Sequence, residues 1–164
     1  MSLQVYNVLF VCTHNSARSI MAEALLNSLG RGRFQAFSAG SHPGTSVHPF
    51  ALTTLSEMHM PTDGLRSKDW GEFTGSGAPE LNFVFTVCDQ AAGEACPVWP
   101  GQPMTAHWGV ADPAAVEGTD AQKAKAFWDT AIILKRRIEL MLPLPLASLD
   151  HLTIPPDIRN IGSR

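Results

Sequence analysis

Apolar and polar positions along this 164-residue chain alternate between strand-like and helix-like stretches. Residues 5–11, Val-Tyr-Asn-Val-Leu-Phe-Val, make a β-branched and aromatic run as long as one buried strand. A polar stretch from Thr13 to Ser16 follows. Met21, Ala24, Leu25 and Leu29 then recur on one helical face, with Gly30 where a C-terminal cap belongs. Phe34 to Ser38 predicts a second, weaker strand. Pro49 marks a first helical position because its ring pre-sets φ, and Ala51, Leu55 and Met58 repeat at helical spacing behind it. Residues 60–80 are rich in Gly, Pro and Ser and predict a loop with, at most, a helical turn starting at Ser67. Phe83 to Val87 predicts a further strand ending at Cys88, and residues 89–101 a loop. Met104 to Trp108 predicts a short strand. Thr119 and Gln122 form a capping box for the longest helix, whose apolar face carries Ala124, Phe127, Ala131, Leu134, Ile138 and Met141.

Strands alternating with helices imply a parallel sheet with right-handed crossovers. The continuous apolar runs at 7–11 and 83–87 suit strands covered on both faces. The expected fold is α/β, a three-layer sandwich of flavodoxin type with about four parallel strands. Residues 1–141 form its single domain, and residues 142–164, with four prolines, a tail packed on it. Ligands of such folds bind beyond the carboxyl ends of the strands. Cys12 and Cys88 both fall at such ends.

Composition narrows the function classes. Twelve Lys and Arg against fifteen Asp and Glu give net −3, which lacks the basic stripe of a nucleic-acid binder. No run approaches the ~18 apolar residues of a membrane span, and no basic and apolar leader opens the chain. The expectation is a cytoplasmic protein with neither nucleic-acid nor membrane partners. Three cysteines, Cys12, Cys88 and Cys96, are an odd number for a disulfide framework. In a reducing compartment cysteines serve packing, metal binding or chemistry. Zinc is disfavoured, because neither pair has zinc spacing and no His neighbours Cys88 or Cys96.

The run Cys12-Thr13-His14-Asn15-Ser16-Ala17-Arg18-Ser19 lies between a strand and a helix. A short loop at a helix N-terminus turns several backbone N–H groups inward and makes an anion cradle. Arg18 adds a planar, always-charged donor pair suited to a tetrahedral oxyanion. The same positive surroundings favour the thiolate of Cys12. An oxyanion is thereby held above a nucleophile; a cysteine packed at a strand end is the plainer alternative. Pro113 restricts Asp112 to extended conformations on a loop able to reach inward.

The Cys-x5-Arg-Ser loop resembles that of the low-molecular-weight protein tyrosine phosphatase superfamily. The later segments resemble its thioredoxin-coupled arsenate reductase branch: Phe37-Ser38-Ala39-Gly40, Ser67-Lys68, Val87-Cys88-Asp89, Cys96-Pro97 and His107-Trp108-Gly109-Val110-Ala111-Asp112-Pro113 all have counterparts there. The likeness covers residues 5–141. It implies the low-molecular-weight phosphatase fold, with Asp112 as the acid that protonates the leaving oxygen. It further implies that Cys12 attacks arsenate, that Cys88 attacks the Cys12 sulfur to release arsenite, and that Cys96 then takes Cys88 into a disulfide. Thioredoxin or glutaredoxin would reduce that disulfide, and phosphate or sulfate would compete for the cradle. Seven residues separate Cys88 from Cys96, against six in the thioredoxin-coupled pattern.

The resemblance requires no cofactor. It does imply a structural potassium site at Asn15, Glu23, Ser38 and Asp69, all oxygen ligands; hydrogen-bond bracing of the loop by Asn15 and Ser38 is the equal alternative. His107 and Trp108 have a structural part. A tyrosine-phosphate hydrolase working through a Cys12 phosphocysteine is the second reading. It leaves Cys88 and Cys96 idle, and Ala114-Ala115 stand where such enzymes carry aromatic residues. A non-enzymatic oxyanion-binding or redox-sensing module is the third, and the acid at Asp112 argues against it.

Overall fold

The structure is a computed structural model and describes residues 5–44, 46–75, 77–87, 103–143 and 161. Among them four strands, β1 (Tyr6–Cys12), β2 (Phe34–Gly40), β3 (Phe83–Thr86) and β4 (Met104–His107), form one parallel sheet in the order β2-β1-β3-β4. Three α-helices accompany them, α1 (Arg18–Leu29), α2 (Pro49–Glu57) and α3 (Asp120–Met141). Two 3-10 turns, Trp70–Phe73 and Pro113–Ala115, are also present among the described residues.

Central β1 explains its own apolar run: Val8 to Val11 are fully buried between β2 and β3. Side chains alternate across a strand. Ser38 of β2 reaches Glu23 on α1, whereas Phe37, pointing the other way, meets the ring of Phe73 at 5.5 Å. The sheet is therefore covered on both faces. Phe10, Phe85 and Trp108 pack together, with Phe85 and Trp108 stacked at 4.1 Å. Burying each such side chain contributes roughly 1.5–3 kcal/mol, so this cluster anchors the end of β4 to the sheet centre.

Helix α3 begins at the expected capping box, with Thr119 N–H donating to Gln122 Oε1 and Gln122 N–H to Thr119 Oγ1. Phe127, Ala131, Leu134, Ile138 and Met141 are buried as the period predicts, but Ala124, one turn into the helix, is exposed. Pro49 opens α2, and His48 Nδ1 accepts from Phe50 N–H as its cap. Gly30 follows α1 but is not in the left-handed cap conformation (φ −101°). A Cβ there would come within 2.9 Å of the Phe34 ring, so space rather than backbone freedom calls for glycine.

Of the tail, Leu142, Pro143 and Ile161 are described; Ile161 is buried in the core and Arg33 donates to Leu142 O. The rest of the expected tail and the 89–101 loop lie outside the described residues. Among the described residues no helix is long and apolar enough to cross a membrane.

Candidate active site

Cys12 is the last residue of β1, buried, and in register with Gly40 of β2. The chain then turns through Thr13 to Ala17 into α1, which starts at Arg18. Four backbone hydrogen bonds from residues 41–48 fix this turn. Ser41 N–H donates to Cys12 O, His42 N–H to Thr13 O, Gly44 N–H to His14 O and His48 N–H to Ser16 O. With these carbonyls bonded outward, the loop is free to present N–H groups to its concave side, as an anion cradle requires. Asn15 sits at φ 49°, a conformation asparagine tolerates better than most residues. Its side chain is committed on both ends: Nδ2 donates to Ser19 Oγ at 2.8 Å and Oδ1 accepts from Lys68 N–H at 2.9 Å. Ser67 Oγ donates to Asn15 O at 2.7 Å. The exposed His14 donates from Nδ1 to His42 O at 3.2 Å.

Gly40 carries a requirement that spacing alone did not express. A Cβ on it would stand 2.6 Å from Thr13 O and 3.0 Å from Asn15 Cβ. Only glycine lets β2 pass this close behind the loop.

Arg18 is buried, at 8% exposure, and lies on the first turn of α1. Its Nη1 donates to Val110 O at 3.2 Å, and its Nη2 lies 3.7 Å from Asp112 Oδ2. Asp112 is extended (φ −77°, ψ 110°), as the following proline demands, and its Oδ1 caps the 3-10 turn by accepting from Ala114 N–H. One carboxylate oxygen is thus anchored and the other faces the guanidinium. The fold brings together the expected loop, the expected anion-binding arginine and the expected acid.

The approach to Asp112 is held by a residue that the sequence reading passed over. Arg137 of α3 is buried and donates from Nη1 to Trp108 O at 2.7 Å and to Gly109 O at 3.1 Å. Burial lowers its pKa. A cation three residues after Leu134 and one before Ile138, inside the apolar stripe, was the available signal. Trp108 is fully buried, and His107 Nδ1 and Thr86 Oγ1 share a 2.8 Å hydrogen bond.

Cys88 and Cys96 lie outside the described residues. The described chain reaches Val87, whose N–H donates to Val11 O beside Cys12. The four residues implied as a potassium site are placed: Glu23 and Ser38 bond each other, Asn15 braces the loop, and Asp69 Oδ1 accepts from Gly71 N–H at 2.6 Å to cap the first 3-10 turn. Lys68 stands among them, a residue the sequence reading noted only as part of a matching segment.

Residues 7–149 match the low molecular weight phosphotyrosine protein phosphatase family, and the chain belongs to it. Within that class, an arsenate reductase of Halalkalibacterium halodurans is 32% identical over 120 residues, covering 73% of this chain and 83% of its own. The glutaredoxin arsenate reductase of Synechocystis sp. is 29% identical over 135 residues, covering 82% and 95%. A solved arsenate reductase in its phosphate-binding state superposes with a TM-score of 0.65 at 28% identity, over 84% of this chain and 96% of the other.

Proposed function

We propose that this protein reduces arsenate to arsenite in the cytoplasm, drawing electrons from a thioredoxin or glutaredoxin. The observation that carries the reading is the convergence of the Cys12 loop, Arg18 and Asp112 in a chain whose relatives include arsenate reductases.

Arsenate sits in the cradle of residues 13–18, its charge met by loop N–H groups and the Arg18 guanidinium. The Cys12 thiolate attacks arsenic, and Asp112 protonates the departing hydroxide, which leaves as water. Cys88 then attacks the Cys12 sulfur. The sulfur–arsenic bond breaks, its electron pair stays on arsenic, and arsenite departs from a Cys12–Cys88 disulfide. Cys96 attacks Cys88 and frees Cys12 as a thiolate. Two thiols are oxidised and arsenic gains two electrons. The carrier reduces Cys88–Cys96 and completes the cycle.

The family also favours hydrolysis of a Cys12 phosphoenzyme. That reaction uses Cys12, Arg18 and Asp112 alone, and the exposed Ala114 and Ala115 after Pro113 offer no ring to an aryl substrate. One preparation assayed for arsenate reduction, with thioredoxin and with glutaredoxin systems, and for aryl-phosphate hydrolysis decides between them. Reduction with either carrier, outpacing hydrolysis, is expected. Hydrolysis without reduction overturns the reading.

A further inference from the structure

Behind the anion loop the chain carries its own buried cation. Lys68 Nζ lies 2.8 Å from Arg66 O, 3.4 Å from Ser38 Oγ and 3.6 Å from Glu23 Oε1. Ser38 Oγ donates to that same Glu23 Oε1 at 2.6 Å. The side chains of Lys68 and Glu23 are only 9% and 13% exposed. Burial pushes the Glu23 carboxyl up and the Lys68 ammonium down, and each charge works against the other's shift. The backbone of Lys68 is tied to the loop on both sides: its N–H donates to Asn15 Oδ1 and its carbonyl accepts from Gly40 N–H at 2.9 Å.

A potassium ion needs several oxygens converging on it with lone pairs to spare. Here Glu23 and Ser38 already face an ammonium, a cation of the same charge and similar size. Asn15 Oδ1 and Asp69 Oδ1 each accept from a backbone N–H. The residues present do not fit an added alkali cation.

We propose that the Lys68 ammonium is a tethered substitute for that cation. It neutralises Glu23 from within the chain and holds the 66–68 segment against Asn15, so the loop keeps its anion-binding shape whatever salt surrounds it. Lys68 is a positioning residue; it touches no substrate. The inference concerns the loop and is independent of whether arsenate or a phosphate ester is the substrate. A cavity lined by Glu23, Asn27, Asp63 and Leu65 lies beside the pair and gives an ion a route to Glu23 once the ammonium is gone.

The test compares wild type, Lys68→Ala and Lys68→Met in chlorides of potassium, sodium and N-methylglucamine at one ionic strength. Sulfate affinity and melting temperature are read alongside turnover. Wild type should show the same values in all three salts. Lys68→Ala should bind sulfate about tenfold more weakly in N-methylglucamine, within the usual range of coupling between neighbouring sites, and recover in potassium more than in sodium. Lys68→Met keeps the apolar stem and fills the space, so it should be weak in every salt. A potassium-dependent wild type, a Lys68→Ala protein indifferent to salt, or Lys68→Met with wild-type sulfate affinity each overturns the proposal. Should Lys68→Ala fail to fold, wild type and Lys68→Met carry the test alone.

Discussion

Arg18 Nη2 stands 3.7 Å from Asp112 Oδ2, joining the first turn of α1 to the loop that precedes α3. Asp112 is 38% exposed, and a pair so open to water adds at most about 1 kcal/mol to folding. Its importance is geometric. The contact aims a carboxyl at the group bound by the arginine, while Ala114 N–H fixes the other oxygen.

Asp112→Asn should therefore separate chemistry from binding. The amide oxygen still caps Ala114, but the amide N–H is far too weak an acid to protonate a leaving hydroxide. Turnover should fall about 10²–10⁴-fold with sulfate affinity and melting temperature near wild type. Steady-state kinetics beside calorimetric sulfate titration checks this, and equal losses in both would contradict the assigned role.

Gly40→Ala should damage the cradle without touching its lining. The added methyl would meet Thr13 O at 2.6 Å, and neither strand nor loop has room to yield. An overpacking cost of about 1–3 kcal/mol is expected, with weakened sulfate binding, measured by thermal melting with and without sulfate.

Arg137→Met should release the carbonyls of Trp108 and Gly109 from their buried donor. Removing the donor from the buried Trp108 O costs roughly 1–3 kcal/mol, and less from the part-buried Gly109 O. A melting temperature lower by about 2–12 °C is expected, since 1 kcal/mol shifts a chain of this length by roughly 2–4 °C. The loop bearing Asp112 loses its support, so kcat should fall more than substrate affinity.

Much of this architecture is legible in local pattern. The run at 5–11 has only one stable place in a parallel sheet, and Thr119, Gln122 and Pro49 mark helix starts by chemistry that needs no tertiary context. The Cys12 loop is legible for the same reason, because a strand, five residues and a helix define a cradle by themselves. Ala124 shows where period misleads: the packing begins one turn later, where Phe127 meets Phe50 of α2, so the first member of the stripe stays exposed. Gly40, Lys68 and Arg137 were not legible as site residues. Each matters through a partner far along the chain: Thr13 for Gly40, Glu23 and Ser38 for Lys68, Trp108 for Arg137. Pattern carries no information about such pairings until the sheet order is known.

The most direct measurement is a thiol count after one equivalent of arsenate, without any reductant, followed by peptide mapping. The native protein should lose two of its three thiols and release one arsenite. The disulfide should join Cys88 to Cys96, with Cys12 still open to alkylation, because the last exchange returns it as a thiolate. Cys96→Ser should stop after one turnover with Cys12 bonded to Cys88. Three intact thiols with arsenate unreduced, or sustained multiple turnover by Cys88→Ser, would contradict the account.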